Sequence, residues 1–440
     1  MKETIIQFGE GNFLRGFVDY FIHKLNEQNL YDGRIVIVKP TDRGNYDKFI
    51  EQRCEYNLYL RGIEKEKEVC EHTKITSVSR ILSPYENFNE YLALAENPDF
   101  RFIISNTTEA GILFDENCKM TDTPPSSFPA KLTLLLNRRF ENNLSGFVLL
   151  PCELIDNNGD ELKNCVIKYA ELWGLGEDFI KWIDTENTFC NTLVDRIVTG
   201  FPKDEIASLW NEIGYEDKLL NTAEIYHLWV IDNDFEAELP LVEGGFNVIW
   251  TDDVTPYKKR KVRLLNGAHT SMVCTALLAG IETVGECMED EEIFDFIHKC
   301  IYDEILPVLG DNDENRKFAI DILDRFRNPY IRHQLRAIVL NCVSKFAVRV
   351  LPSIIEHKDK FGEYPPHLVF SLSALIYFYK NDTPNDSEDT EEFMKNATIN
   401  EILESAELWG ADLSELKNIV AENYNSISEK GIREALNCIL

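Results

Sequence analysis

The sequence is poor in basic residues. Its 440 residues include 45 Lys and Arg against 76 Asp and Glu, which gives a formal net charge of −31. Such an excess of negative charge repels nucleic acid backbones and anionic lipid surfaces. We therefore expect neither nucleic acid nor a membrane as a partner. An anionic small molecule would need local cations or helix N-termini to offset the acidic field.

Long apolar runs are also missing. The most apolar segment, HLVFSLSALIYFY (His367 to Tyr379), is shorter than the roughly 18 residues that a membrane-spanning helix needs, so it predicts a buried helix. The opening residues, MKETIIQFGEGN, pass from one lysine into a short strand and glycines without the apolar core of a secretory signal. We therefore expect no export and a cytoplasmic location.

Paired cysteines are absent as well. The 11 cysteines are an odd number, and none belongs to a C-x-x-C pair. This pattern is typical of reduced thiols in a cytosolic protein, and it disfavours both a disulfide framework and a structural zinc site. We expect no metal.

Alternation of short strands with longer segments organises the first half of the chain. A length of 440 residues exceeds one hydrophobic core and predicts two domains. Strands separated by helix-length segments predict a parallel sheet, and helical periodicity dominates after about Thr251. The prediction is an α/β Rossmann-type N-terminal domain, residues 1–250, and a mainly α-helical C-terminal domain, residues 251–440. The predicted strands are Thr4 to Phe8, Arg34 to Val38, Arg101 to Ser105, Gly146 to Leu150 and Phe246 to Trp250.

A glycine turn follows the first predicted strand, in IIQFGEGNFLRGFVDYFIHKLNE. Gly9 and Gly11 precede a helical pattern of apolar residues spaced four apart, namely Phe13, Phe17, Phe21 and Leu25. Strand, glycine turn and helix together are typical of a dinucleotide pyrophosphate site, to which Arg15 would add a cationic contact. Leu14 replaces the third glycine of G-x-G-x-x-G, so an ordinary glycine turn is the alternative.

The end of the second strand leaves the nucleotide undetermined. Val38 is followed by Lys39, Pro40, Thr41 and Asp42. An acidic residue at this place holds the ribose hydroxyls of NAD, whereas a cation suits the 2′-phosphate of NADP. Asp42 fits the first and Lys39 the second.

A second polar constellation opens the helical half, in YKKRKVRLLNGAHT. Taken as a helix, this segment carries Asn266 and His269 three residues apart on one face, with Lys261 two turns from His269. Carbonyl reduction needs a proton donor and hydrogen-bond donors for the carbonyl oxygen, and lysine and asparagine supply both without zinc. The alternative is a solvated basic helix start with a core histidine.

Several long segments in this order resemble the mannitol dehydrogenase family, the polyol-specific long-chain dehydrogenases. The resemblance covers nearly the whole chain. The segments that carry it are IIQFGEGNFLRGF, SNTTEAGI, PCELIDNNGD, NTLVDRIVTG, PYKKRKVRLLNGAHT and RFRNPYIRHQL.

The resemblance implies roles for individual residues. Lys261 would be the general acid-base group of a zinc-free mechanism, and His269 would orient the lysine or the substrate. Asn266 and Asn191 match the pair of amides that hold the reacting oxygen, although Asn191 alone is equally typical of a local cap. The cofactor would be NAD. Its implied contacts are Phe8, Gly9, Glu10, Gly11, Asn12, Phe13, Leu14, Arg15, Gly16, Thr107, Glu109 and Cys152.

The resemblance also implies a substrate site. Lys345 matches a substrate-contacting lysine, and Arg336 lies near the family's substrate-binding arginine; we expect both on one helix. In WVIDND, Asp232 and Asn233 replace the family's acidic pair, and the lost negative charge suits a substrate with its own carboxylate. We therefore expect NAD-dependent reduction of a keto-sugar acid. The alternatives are a neutral-polyol dehydrogenase and a nucleotide-binding module without catalysis.

Overall fold

Runs of β-branched and aliphatic residues form the strands, because such side chains pack well on a pleated surface. The computed structural model of the chain describes residues 1–65, 67–108 and 110–440. The five strands predicted from sequence are all present. The strands are β1 Lys2–Phe8, β2 Gly33–Val38, β3 Tyr56–Glu64, β4 Lys67–Ile75, β5 Val78–Leu82, β6 Phe102–Ser105, β7 Val148–Pro151, β8 Thr188–Phe189, β9 Thr192–Asp195, β10 Val198–Gly200, β11 Asn221–Glu224, β12 Leu228–Asp232 and β13 Val248–Thr251.

The main sheet has six strands in the order β5-β2-β1-β6-β7-β8, and every neighbouring pair is parallel. Numbered within this sheet, the order is 3-2-1-4-5-6, which is that of dinucleotide-binding doubly wound folds. Two smaller sheets have the orders β10-β11-β3-β4 and β13-β12-β9. The parallel sheet predicted from sequence is confirmed.

Successive residues of the central strand β1 point to opposite faces of the sheet. Ile5 belongs to an apolar cluster that includes Phe17 and Phe21, and Ile6 belongs to a cluster on the other face that includes Leu132 and Leu135. Both faces of the sheet are therefore covered. The helices of this part are α1 Asn12–Arg15, α2 Val18–Glu27, α3 Asp47–Glu51, α4 Phe88–Ala93, α5 Phe128–Glu141, α6 Asn158–Leu172, α7 Glu177–Glu186 and α8 Ile206–Ile213.

The chain divides into two compact units. The first comprises Met1–Arg61 and Val69–Thr255, and the second comprises Gly62–Glu68 and Pro256–Leu440. The second unit is helical apart from the ends of two strands, which confirms the predicted fold class. Its helices are α9 Thr255–Arg260, α10 Gly267–Leu278, α11 Val284–Glu289, α12 Glu291–Lys299, α13 Leu306–Leu309, α14 Asp313–Phe326, α15 Leu335–Ile338, α16 Cys342–Arg349, α17 Leu351–Phe361, α18 Pro366–Asn381, α19 Glu388–Asn396, α20 Ile399–Glu404, α21 Ala406–Trp409, α22 Lys417–Lys430 and α23 Ile432–Asn437, with π-helical stretches at Lys261–Asn266 and Cys300–Ile305.

The most apolar segment of the sequence forms α18, whose 16 residues are mostly buried. This agrees with the predicted buried helix. Within the described part of the chain, no helix is long and apolar enough to cross a membrane.

Candidate active site

The turn after β1 requires glycine at its first position. Gly9 has φ +123°, and a Cβ there would lie 2.8 Å from the carbonyl oxygen of Asn106. At Gly11 a Cβ would meet nothing within 4 Å, so the backbone there is open to a ligand. The positive φ at Gly9 allows the tight turn, and the free space at Gly11 allows a pyrophosphate to approach the backbone closely.

Gly16 takes over the packing role of the missing third glycine. A Cβ at Gly16 would lie 3.2 Å from Asn221 Nδ2 and 3.2 Å from Val198 Cγ1, so this position also favours glycine. The first helix ends at Arg15, and α2 begins only at Val18. The single helix predicted over this segment is therefore two helices, although its apolar face is buried as predicted.

Arg15 is not open to a ligand. Its guanidinium donates to the carbonyl of Leu219 and to Asn12 Oδ1, both at 2.5 Å, and its side chain lies between the rings of Phe49 and Tyr56. Only 6% of Arg15 is exposed. These contacts hold the guanidinium within the first unit, and the phosphate contact expected of Arg15 stays a prediction.

The carboxylate of Glu153 links the ends of β6 and β7, a role that no sequence pattern indicated. Glu153 is buried and accepts hydrogen bonds from Ser105 Oγ (3.0 Å) and from the backbone and hydroxyl of Thr107 (both 2.9 Å). Burial raises the pKa of Glu153. Cys152 is fully buried, and its contact with a cofactor stays a prediction. Glu109 lies outside the described residues.

Lys39 and Asp42, the two residues after β2 that left the choice between NAD and NADP open, differ in their exposure. Lys39 is 3% exposed, and its Nζ donates to the carbonyls of Arg43 (3.0 Å) and Gly44 (2.5 Å) over the ring of Tyr46. Asp42 is exposed. The carboxylate rather than the ammonium is therefore available at this strand end.

Asn191 caps a helix. Its Oδ1 accepts from the backbone N–H groups of Gly159 and Asp160, both at 3.1 Å, at the start of α6. Its own N–H donates to Asp232 Oδ1 at 2.8 Å, and Asn233 Nδ2 donates to the same oxygen at 3.1 Å. Burial raises the pKa of Asp232. Asp232 thus holds the backbone of Asn191, and Asn233 supports the Asp232 carboxylate.

In the second unit, Lys261 begins a π-helical stretch that joins α9 to α10. The N–H of Gly267 donates to the carbonyl of Val262, five residues back. In an α-helix, neighbours on one face are three or four residues apart, whereas a π-turn aligns residues five apart. The wider turn therefore brings Lys261 and Asn266 toward a common face. A regular helix was expected here, and no residue pattern indicated the π-turn.

His269 is oriented by aromatic contacts within the second unit. Its ring stacks on Phe326 with 4.3 Å between centroids and meets His333 edge-on at 5.2 Å. Burial lowers the pKa of His333, which favours its neutral form. Phe326 and His333 both lie in RFRNPYIRHQL, one of the segments that resemble the mannitol dehydrogenase family.

The expectation that Lys345 and Arg336 share a helix is wrong. Arg336 lies in α15, Lys345 lies in α16, and Asn341 with φ +52° stands between them. Arg336 donates to Asp382 Oδ1 and to the carbonyl of Thr383, both at 3.1 Å, and is half exposed. Arg336 is thus already paired with a carboxylate.

No metal site is evident in the part of the chain that the structure covers: it contains no group of three or more His, Cys, Asp or Glu side chains that could hold an ion. All 11 cysteines are free.

A parallel sheet in dinucleotide-binding order that opens with a glycine turn, joined to a helical unit with Lys261, Asn266 and His269, defines a two-domain nucleotide-dependent dehydrogenase. The chain belongs to the mannitol dehydrogenase family: residues 3–244 match its Rossmann domain and residues 253–429 match its C-terminal domain.

Similar proteins are found along the full length. An altronate oxidoreductase of Yersinia enterocolitica is 44% identical over 99% of this chain and 96% of its own length. An altronate oxidoreductase of Bacillus subtilis is 44% identical over 99% of this chain and 94% of its own length. Among solved structures, a D-sorbitol dehydrogenase in substrate-free form has a TM-score of 0.86 at 23% identity, over 99% of this chain and 95% of its own. A Pseudomonas fluorescens mannitol 2-dehydrogenase has a TM-score of 0.72 at 22% identity, over 100% and 94%.

Proposed function

We propose that this protein is an NAD-dependent oxidoreductase that interconverts tagaturonate and altronate. The observation that carries the proposal is the 44% identity, over 99% of the chain, to proteins named altronate oxidoreductase. The sequence motifs themselves resemble those of tagaturonate reductase more than those of other family members. Because the similarity extends over 99% of the chain, the aligned region covers both units.

The proposed chemistry assigns the proton to Lys261. In its ammonium form Lys261 protonates the alkoxide that develops on the carbonyl oxygen, and as the neutral amine it accepts that proton in the reverse direction. The Asn266 amide donates to the same oxygen and stabilises its growing charge. His269, held by its ring contacts with Phe326 and His333, orients these groups. Asn191 as a second oxygen-binding amide stays a prediction beside its capping contacts.

The cofactor that fits is NAD rather than NADP. Gly9 and Gly11 leave the turn open to a pyrophosphate, and Asp42 is the exposed acidic residue at the end of β2. Lys39, the alternative 2′-phosphate contact, is buried and donates to backbone carbonyls. When bound, the nicotinamide supplies or accepts the hydride. Thr107 and Cys152 belong to the strand ends beside this turn, and their cofactor contacts remain predictions. A cytoplasmic location is also proposed, because 11 free cysteines suit a reducing compartment.

A substrate panel tests the proposal. Purified protein is assayed for NADH oxidation with tagaturonate, fructuronate and fructose, and NADPH is compared with NADH. We expect the highest kcat/KM with tagaturonate and NADH. A preference for fructuronate would make the protein a mannonate oxidoreductase, and a preference for fructose would make it a neutral-polyol dehydrogenase. NADH binding without turnover of any ketose or keto-acid would leave a nucleotide-binding module.

A further inference from the structure

Two cations share one side of α16 in the second unit. Lys345 and Arg349 are four residues apart, a spacing that places side chains on the same helix face. Both residues are partly buried. A Cβ at Gly267 would lie 3.3 Å from the carbonyl oxygen of Arg349, so the end of α16 lies against the start of α10, next to Asn266. The two cations therefore belong to the neighbourhood of the proposed catalytic helix.

Within the described part of the chain, neither cation forms an ion pair with a carboxylate, and Asp386 acts on Lys345 only through its charge. Lys345 Nζ donates only to the carbonyl of Ile338, at 3.0 Å. Among the residues that the structure describes, none forms an ion pair or a side-chain hydrogen bond with the Arg349 guanidinium. Burial, followed by the charge of Arg349, lowers the pKa of Lys345, and burial lowers the pKa of Arg349. The burial of each side chain thus disfavours its charged form.

Three arginines of the second unit contrast with the pair on α16, because each of them forms an ion pair with a carboxylate. Arg263 pairs with Glu356 at 2.9 Å, Arg336 pairs with Asp382 at 3.1 Å, and Arg316 pairs with Asp311 at 2.5 Å. The chain has 76 acidic residues, so a shortage of carboxylates does not explain why the two cations on α16 form no ion pair. A partly buried cation without a counter-ion costs stability, and an anionic ligand would offset that cost.

We propose that Arg349, together with Lys345, binds the carboxylate of the sugar acid and so distinguishes it from neutral ketoses and polyols. A guanidinium offers two parallel N–H donors that match the two oxygens of a carboxylate, whereas an ammonium acts as a point charge. Arg349 therefore sets the orientation of the carboxylate, and Lys345 adds charge. That the anion is a sugar acid rests on the proposed function.

Binding rather than turnover provides the test. The full-length protein with saturating NADH is titrated calorimetrically with altronate and with altritol, the neutral polyol of the same carbon chain; NADH prevents oxidation of either ligand. Arg349→Gln is compared with the wild type and with Arg316→Gln, which removes the same charge from an exposed ion pair of the same unit. We expect Arg349→Gln to weaken altronate binding at least about tenfold, while altritol binding and the Arg316→Gln protein stay unchanged.

Other outcomes have definite meanings. Equal losses for altronate and altritol would overturn the proposal, because they would make Arg349 a packing residue only, and so would unchanged altronate binding. If Arg349→Gln does not fold, Arg349→Lys keeps the charge without the planar fork, and a loss confined to altronate is again expected. If the wild type fails to reduce tagaturonate yet binds altronate through Arg349, the proposed function is wrong and the carboxylate site stands.

Discussion

The two units differ in how many hydrogen-bond partners their candidate-site polar side chains have. In the first unit these groups are satisfied internally: Arg15 donates to Leu219 and Asn12, Thr107 donates to Glu153, and Asn191 caps α6. In the second unit, the two cations of α16 have a single backbone carbonyl between them as a hydrogen-bond partner among the described residues.

Under the proposed function, this difference implies that the two units recognise their ligands in different ways. In the first unit the candidate cofactor site is formed by the backbone of the glycine turn. A Cβ at Gly9 would lie 2.8 Å from the carbonyl oxygen of Asn106, whereas a Cβ at Gly11 would meet nothing within 4 Å. The second unit instead offers charged and proton-donating side chains to the proposed substrate. Substitutions in the first unit should therefore act through glycine geometry, and substitutions in the second unit through the loss of a charge or a proton donor. Four experiments test this distinction.

The largest effect is expected for Lys261→Ala. Removal of a positioned acid-base group lowers turnover on the order of a hundredfold to ten-thousandfold, whereas NADH binding to the first unit should persist. Turnover is measured by NADH oxidation and binding by NADH fluorescence. Lys259→Ala is the control, because Lys259 is an exposed neighbour paired with Glu356 at 3.3 Å. Near-normal turnover of the Lys261→Ala protein would remove this lysine from the mechanism.

Lys345→Met should change substrate preference. Methionine keeps much of the aliphatic stem but removes the charge, at a cost of about 1.5 to 3 kcal/mol for a lost charge-assisted contact. The ratio of kcat/KM for tagaturonate to that for fructose should therefore fall roughly tenfold to a hundredfold. Lys360→Met is the matched control, since Lys360 also donates to a backbone carbonyl, that of Pro307 at 2.6 Å, and is exposed. An unchanged ratio would show that Lys345 does not contact the carboxylate.

Two glycine substitutions separate strain from ligand access in the first unit. Gly9→Ala places a Cβ 2.8 Å from the Asn106 carbonyl at φ +123°, so unfolding free energy should fall by about 1 to 3 kcal/mol. Gly11→Ala meets no protein atom within 4 Å and should leave stability unchanged while weakening NADH binding. Denaturant unfolding and NADH titration distinguish the two effects. A Gly11→Ala protein that binds NADH normally would contradict a pyrophosphate at this turn.

Removal of metal ions by a chelator is expected to have no effect on the rate of tagaturonate reduction. The proposed proton donor is a lysine and the proposed oxygen contact is an amide, so dialysis against a strong chelator should leave tagaturonate reduction unchanged. The measurement compares rates before dialysis, after dialysis and after added zinc. Activity lost on dialysis and restored by zinc would assign the second unit to a different mechanistic class.

Local patterns predicted much of the fold. The strands near residues 4, 34, 101, 146 and 246 were recognisable as short runs of β-branched and other apolar residues. The apolar face of α2 was recognisable because apolar residues recur every three to four positions along a helix. The interruption between α1 and α2 and the π-helical stretch at Lys261 were not recognisable. Neither follows from residue spacing, because both depend on how the segment packs against others.

The order of elements, the glycine turn and the segment that carries Lys261, Asn266 and His269 can be read from the amino-acid sequence, since each depends on neighbours a few positions away. Which polar side chains have partners depends on the fold in three dimensions. Arg15 bonds to Leu219, Asn191 caps a helix that begins at Asn158, and His269 stacks on Phe326. The physical reason is that hydrogen bonds and ring contacts depend on distance in space, and folding brings together residues that lie far apart along the chain.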